Sequence, residues 1–135
     1  MEYIILARFR SFAKRGLAWY SQIMKILSGI VVEGKRRGRK LGFPTANIGI
    51  SVSLESGVYA GKVNTGGRKY KAAIFVPERG NMVESYIFDF SGNIYGSTIE
   101  IEFERKIRDV RKFENEKDLV EQIRKDIKLI QKISR

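Results

Sequence analysis

Beyond residue 25 the chain runs in short stretches of alternating apolar and polar residues broken by turn-forming ones, the pattern of small β-strands. Residues 26–33, 57–63, 70–75, 83–90 and 97–106 are such stretches. In the last of them Ile99, Ile101 and Phe103 share one face, while Glu100, Glu102 and Glu104 take the other. Gly66-Gly67 predicts a hairpin turn, Pro77-Glu78-Arg79-Gly80-Asn81 breaks the ladder, and Ser91-Gly92-Asn93 predicts a further turn. Residues 48–56 read as a connecting segment. From residue 115 the period lengthens. Leu119, Ile123, Ile127 and Ile130 recur at helical spacing against a charged face, behind Asn115 as cap and Asp118 in a capping-box-like position. The helix is expected to pack its apolar stripe on the mouth or wall of an all-β barrel or sandwich.

Residues 1–24 follow neither pattern cleanly. Ile5, Phe9 and Phe12 fit helical spacing, Gly16 interrupts the run, and Arg8, Arg10, Lys14 and Arg15 are interleaved. We read this stretch as a helical extension, with a poorly ordered arm or a membrane-surface segment as alternatives. Residues 25–135 form the single domain, long enough to bury one core.

Charge and composition narrow the chemistry. Lys and Arg outnumber Asp and Glu by 26 to 15, a net charge of +11 that suits a polyanionic partner: nucleic acid, a nucleotide or an acidic membrane. No RNP motif, zinc finger or recognition helix is present, which makes nucleic acid the less favoured of these. No apolar run approaches a membrane span and Met1-Glu2-Tyr3 is not a basic n-region, so a cytoplasmic protein without membrane contact is expected. Cysteine and histidine are both absent. Thiolate metal sites and cysteine nucleophiles are excluded, and proton abstraction near neutral pH falls to a carboxylate, with a perturbed lysine or tyrosine as the alternative.

The stretch 34–47, GKRRGRKLGFPTAN, is an odd composition for a simple reversal of the chain. Glycines let backbone N–H groups approach a ligand, and flanking Lys and Arg complete an anion-binding concavity. Pro44 holds Phe43 extended, and on an extended backbone Thr45 and Asn47 point to the same side. Their neutral oxygens suit Mg²⁺ when phosphates and water complete its shell. The alternative is a basic surface loop leading into a strand. Glu84, in turn, shares a strand face with Tyr86 and Phe88, opposite Val83, Ser85 and Ile87, which places it either at a barrel rim or in a site.

The string G-x-x-R-G-R-x-L-G-F-P-T-A-N-I resembles the signature of riboflavin kinases of the eukaryotic and bacterial type, including the C-terminal half of bifunctional FAD synthetases. It does not match the P-loop pattern. The resemblance implies Mg²⁺ on Thr45 and Asn47 and nucleotide phosphates near Gly34, Arg39 and Thr45. Backbone N–H groups around Gly38 to Gly42 are expected to add to that cradle. The segment Val83-Glu84-Ser85-Tyr86-Ile87-Phe88-Asp89-Phe90, followed by Tyr95-Gly96, is similar to the family segment bearing the proposed catalytic base, which aligns with Glu84. Arg108 and Phe113 match a family loop that lines the flavin site; read without the resemblance, Arg108 is a solvated side chain and Phe113 a staple before the helix. Residues 73–82 depart from the family, being shorter and lacking its N-I-G-x-x-P-T motif. The nucleotidyltransferase half of the bifunctional proteins is not matched.

The resemblance implies a six-stranded antiparallel Greek-key-like β-barrel with a C-terminal helix. It also implies a phosphotransferase that uses ATP or another triphosphate, with Mg²⁺, to convert riboflavin to FMN. A monomer is expected. A flavin-binding protein without kinase activity and an RNA-binding barrel are the alternatives.

Overall fold

Alternation decides which side of each strand turns inward, and here the inward sides close into a ring. The computed structural model describes residues 26–32, 42–49, 54–79 and 82–133. Its strands are β1 (Ile26–Val32), β2 (Ala46–Gly49), β3 (Gly57–Thr65), β4 (Arg68–Val76), β5 (Met82–Ile87) and β6 (Thr98–Arg108), followed by helix α1 (Glu116–Ile133). The order around the closed barrel is β1-β2-β5-β4-β3-β6, with every adjacent pair antiparallel. Inserting β2 between β1 and β5, and returning β6 between β3 and β1, gives the expected Greek-key character and leaves no open edge. The extension expected over residues 1–24 lies outside the described residues.

Leu27, Ile48, Ile74, Val83, Ile99 and Ile101 fill the interior, each at most 1% exposed. Gly66 and Gly67 turn β3 into β4 with φ of 58° and 78°, the positive values that a two-residue hairpin with matching twist demands.

Two local expectations are corrected. Residues 48 and 49, expected in a connecting segment, belong to β2: Ala46 and Ile48 point into the core and Asn47 points out, a run of four described residues too short to announce itself by alternation. Strand β5 ends at Ile87 rather than continuing to residue 90, because Phe88 and Asp89 turn the chain and Asp89 takes φ 56°, a left-handed conformation that Asp tolerates.

Helix α1 lies on the outer wall. Ile130 is fully buried against Ala60 of β3 and Phe88, with Ile127 and Ile133 packed beside them. Burying such a side chain contributes about 2 to 3 kcal/mol. The helix start is fixed as the sequence suggests: the Asp118 N–H donates to Asn115 Oδ1 at 2.9 Å, and Asn115 Nδ2 donates to Asp118 Oδ2 at 3.3 Å. Among the described residues no helix is long and apolar enough to cross a membrane.

Candidate active site

The site residues assemble because cross-strand partners share a face of the sheet. Asn47 on β2 pairs with Glu84 on β5, Glu84 with Phe75 on β4, Phe75 with Val58 on β3, and Val58 with Arg108 at the end of β6. One outward-facing row therefore joins three of the residues singled out in the sequence. Strands lie about 4.8 Å apart, so Glu84 and Arg108, three steps apart, are separated by about 14 Å along the sheet.

At the β2 end the polar groups converge. Thr45 Oγ1 donates to Glu84 Oε1 at 3.3 Å, and Asn47 Nδ2 donates to the Thr45 carbonyl at 3.5 Å. Asn47 is buried, while Thr45 and Glu84 are half-buried and reachable from solvent. Phe43 sets its ring edge-on to Tyr86 with centroids 5.6 Å apart, which seats the extended Phe43-Pro44-Thr45 segment on β5. Gly42 just before it has φ +92°, a value a side chain adopts only under strain. Gly34, Gly38 and Arg39 lie outside the described residues.

A divalent ion here would have two neutral oxygens and one carboxylate from the protein. Among the described residues no group of three or more acidic or histidine side chains could hold a metal. The donor set therefore fits a hard cation that draws most of its ligands from phosphates and water, and does not fit a dedicated protein cage.

Arg108 and Phe113 sit at the far end of the row. The reading of Arg108 as a solvated side chain is not met: it is 18% exposed and its guanidinium grips the buried Asp126 of α1. Phe113 is half-buried under the Arg111 guanidinium, 5.1 Å from its ring centroid. It borders a cavity of about 330 Å³ lined also by Lys112, Gln122 and Lys125. That cavity is polar and does not touch Glu84, Thr45 or Asn47, so its size alone is a poor guide to the chemistry.

Sequence reasoning passed over Phe75, Tyr86 as the seat of Phe43, and Asp126. For Asp126 a signal was available. Positions 119, 123, 126 and 130 continue the apolar stripe at steps of four, three and four, so an acid at 126 must be buried.

Comparison with known proteins identifies the family. The family described as "Flavokinase: Riboflavin kinase" matches residues 23–134. A bifunctional riboflavin kinase/FMN adenylyltransferase of Bacillus subtilis is 40% identical over 113 residues, covering 74% of this chain and 35% of that protein. The RNA-binding riboflavin kinase RibR of the same organism is 39% identical over 118 residues, covering 81% of this chain and 51% of that protein. The crystal structure of riboflavin kinase from Trypanosoma brucei superposes with a TM-score of 0.62 at 25% identity, covering 80% of this chain and 75% of that one. The chain spans about a third to a half of the length of these two curated relatives. With the family's match running from just before β1 to the last turn of α1, the chain belongs to the riboflavin kinase (flavokinase) family.

Proposed function

We propose that the chain is a riboflavin kinase: it transfers the γ-phosphoryl group of ATP to the 5′-hydroxyl of riboflavin, giving FMN and ADP. The observation that carries this reading is the outward row from Asn47 through Glu84, Phe75 and Val58 to Arg108. A riboflavin lying along it meets an acid and two hard oxygens at one end, an apolar floor in the middle, and an arginine near an aromatic ring at the other. That order matches the ligand's own sequence of terminal hydroxyl, ribityl chain and isoalloxazine ring.

The basic turn 34–47 holds the nucleotide's phosphates through backbone N–H groups around Gly38 to Gly42, with Gly34, Arg39 and Thr45 beside them. Thr45 and Asn47 would hold Mg²⁺, which would supply charge neutralisation to the phosphates. Glu84 accepts or orients the proton of the 5′-hydroxyl as its oxygen bonds to the γ-phosphorus and the bond to the β,γ-bridging oxygen breaks. Arg108 and Phe113 bound the flavin end. Phosphoryl transfer asks the protein mainly for positioning and charge stabilisation, within reach of a site with one carboxylate and no histidine. The protein acts as a monomer in the cytoplasm in this reading.

The RNA-binding alternative has less support. The described residues carry fifteen Lys and Arg against thirteen Asp and Glu, so most of the +11 resides in residues 1–25 and 33–41, outside the described residues. Incubating the protein with riboflavin, Mg²⁺ and each nucleoside triphosphate in turn, then separating the flavins, tests the proposal. FMN formed with ATP is the expected result. Riboflavin binding without FMN would leave a flavin carrier, and salt-sensitive oligonucleotide binding without flavin binding would leave the RNA reading.

A further inference from the structure

Asp126 occupies the apolar stripe of α1, 5% exposed and one step from Ile130, which is fully buried. A carboxylate there is costly to desolvate, and an apolar side chain would join helix to barrel at least as well. Its bonds suggest a different use. Arg108 Nε donates to Asp126 Oδ1 at 3.0 Å and Oδ2 at 3.1 Å, and Nη2 donates to Oδ2 at 2.9 Å, a two-pronged grip that fixes the plane of the guanidinium. Arg108 Nη1 donates to the Asp109 carbonyl at 3.0 Å, holding the start of the connection to α1.

The same carboxylate reaches a second arm. Gln122, one turn earlier on α1, donates from Nε2 to Asp126 Oδ1 at 2.9 Å and accepts at Oε1 from Arg111 Nη1 at 2.9 Å. The Arg111 guanidinium lies over the Phe113 ring. An unbroken chain of contacts thus runs Arg108, Asp126, Gln122, Arg111, Phe113, and its two ends are the residues placed at the flavin end of the site.

We propose that Asp126 is a positioning residue for the flavin. Through Arg108 directly, and through Gln122 and Arg111 to Phe113, it sets the spacing of the two side chains that bound the isoalloxazine ring. The proposal rests on the kinase reading. It assigns α1 a part in substrate recognition although no residue of that helix need touch riboflavin.

Steady-state kinetics of Asp126→Asn, Gln122→Ala and Arg108→Met, singly and combined, alongside thermal unfolding, tests it. Asp126→Asn is expected to raise the riboflavin KM about tenfold, the size of one charge-assisted hydrogen bond, with kcat and the ATP KM little changed. Gln122→Ala, which leaves the Arg108 grip intact, is expected to raise the riboflavin KM by a smaller factor without lowering the melting temperature. The KM effects of Asp126→Asn and Arg108→Met should fall short of additive, because both break one chain of contacts. Arg108→Met with Asp126→Met should recover the melting temperature yet keep the raised KM, since an apolar pair replaces the ion pair in packing but not in aim. A lowered melting temperature with unchanged riboflavin KM, or fully additive KM effects, overturns the proposal. A parent chain that neither binds nor phosphorylates riboflavin overturns the kinase reading, and this inference with it.

Discussion

Two polar clusters occupy opposite ends of one row on the barrel's outer face, and they are built differently. Around Glu84 the hydrogen bonds are long, 3.3 Å from Thr45 and 3.5 Å within the Asn47–Thr45 pair. Around Asp126 they run from 2.9 to 3.1 Å and are two-pronged. An O–H···O bond near 2.8 Å is the ordinary optimum, so the first cluster is loosely engaged and its oxygens can be handed to a ligand at small cost. The second is already satisfied and serves as a frame. Exchangeable polar groups mark the end where chemistry is proposed, and committed ones mark the end where the ligand is aimed.

Substitutions can break this contrast. The largest effect is expected from Glu84→Gln, which keeps an accepting oxygen but removes the basic carboxylate and should lower kcat about 10²- to 10⁴-fold while leaving the melting temperature near the parent's. A near-normal rate would reject Glu84 as the base. At the framed end, Ile130→Ala should do the reverse, costing about 2 to 5 kcal/mol in denaturant unfolding with kcat of the folded fraction retained. Thr45→Ala should raise the KM for Mg²⁺-ATP about tenfold, as loss of one bond to a charged group implies; unchanged nucleotide affinity would remove Thr45 from the metal and phosphate assignment. The smallest effect is expected behind Glu84, on the inner face. Ser85 Oγ is buried with no hydrogen-bond partner among the described residues. Ser85→Ala should therefore be neutral or slightly stabilising by chemical denaturation, with unaltered kinetics; a clear loss of activity would show that the interior of the barrel contributes to the loose cluster.

Much of this was legible in the sequence where the rule is local. Alternation placed Glu84 and Tyr86 opposite Val83 and Ser85, and the buried, half-buried pattern of β5 agrees. Helical spacing found α1, and Asn115 marked its start. Extended geometry put Thr45 and Asn47 on one side, and their approach to Glu84 follows. What escaped depends on pairing between distant segments. Nothing near Ala46 states that it will face Ser85, and a four-residue strand has too little alternation to be seen. Asp126 was passed over because a charge in a helix is read as solvated unless its phase against the stripe is counted. Arg108 was assigned to the ligand, whereas the structure first gives it a protein partner, which only the fold of β6 back onto α1 supplies.

The barrel's staves are unequal, and that inequality reaches beyond geometry. Among the described residues β2 contributes four and meets β1 through two register pairs, Val31 with Ile48 and Val32 with Asn47. Among the described pairings the shortest seam is thus the one carrying Asn47 and preceded by Thr45. A nucleotide bound there, as proposed, would lace that seam shut, and nucleotide supply would then also govern how often the cylinder gapes.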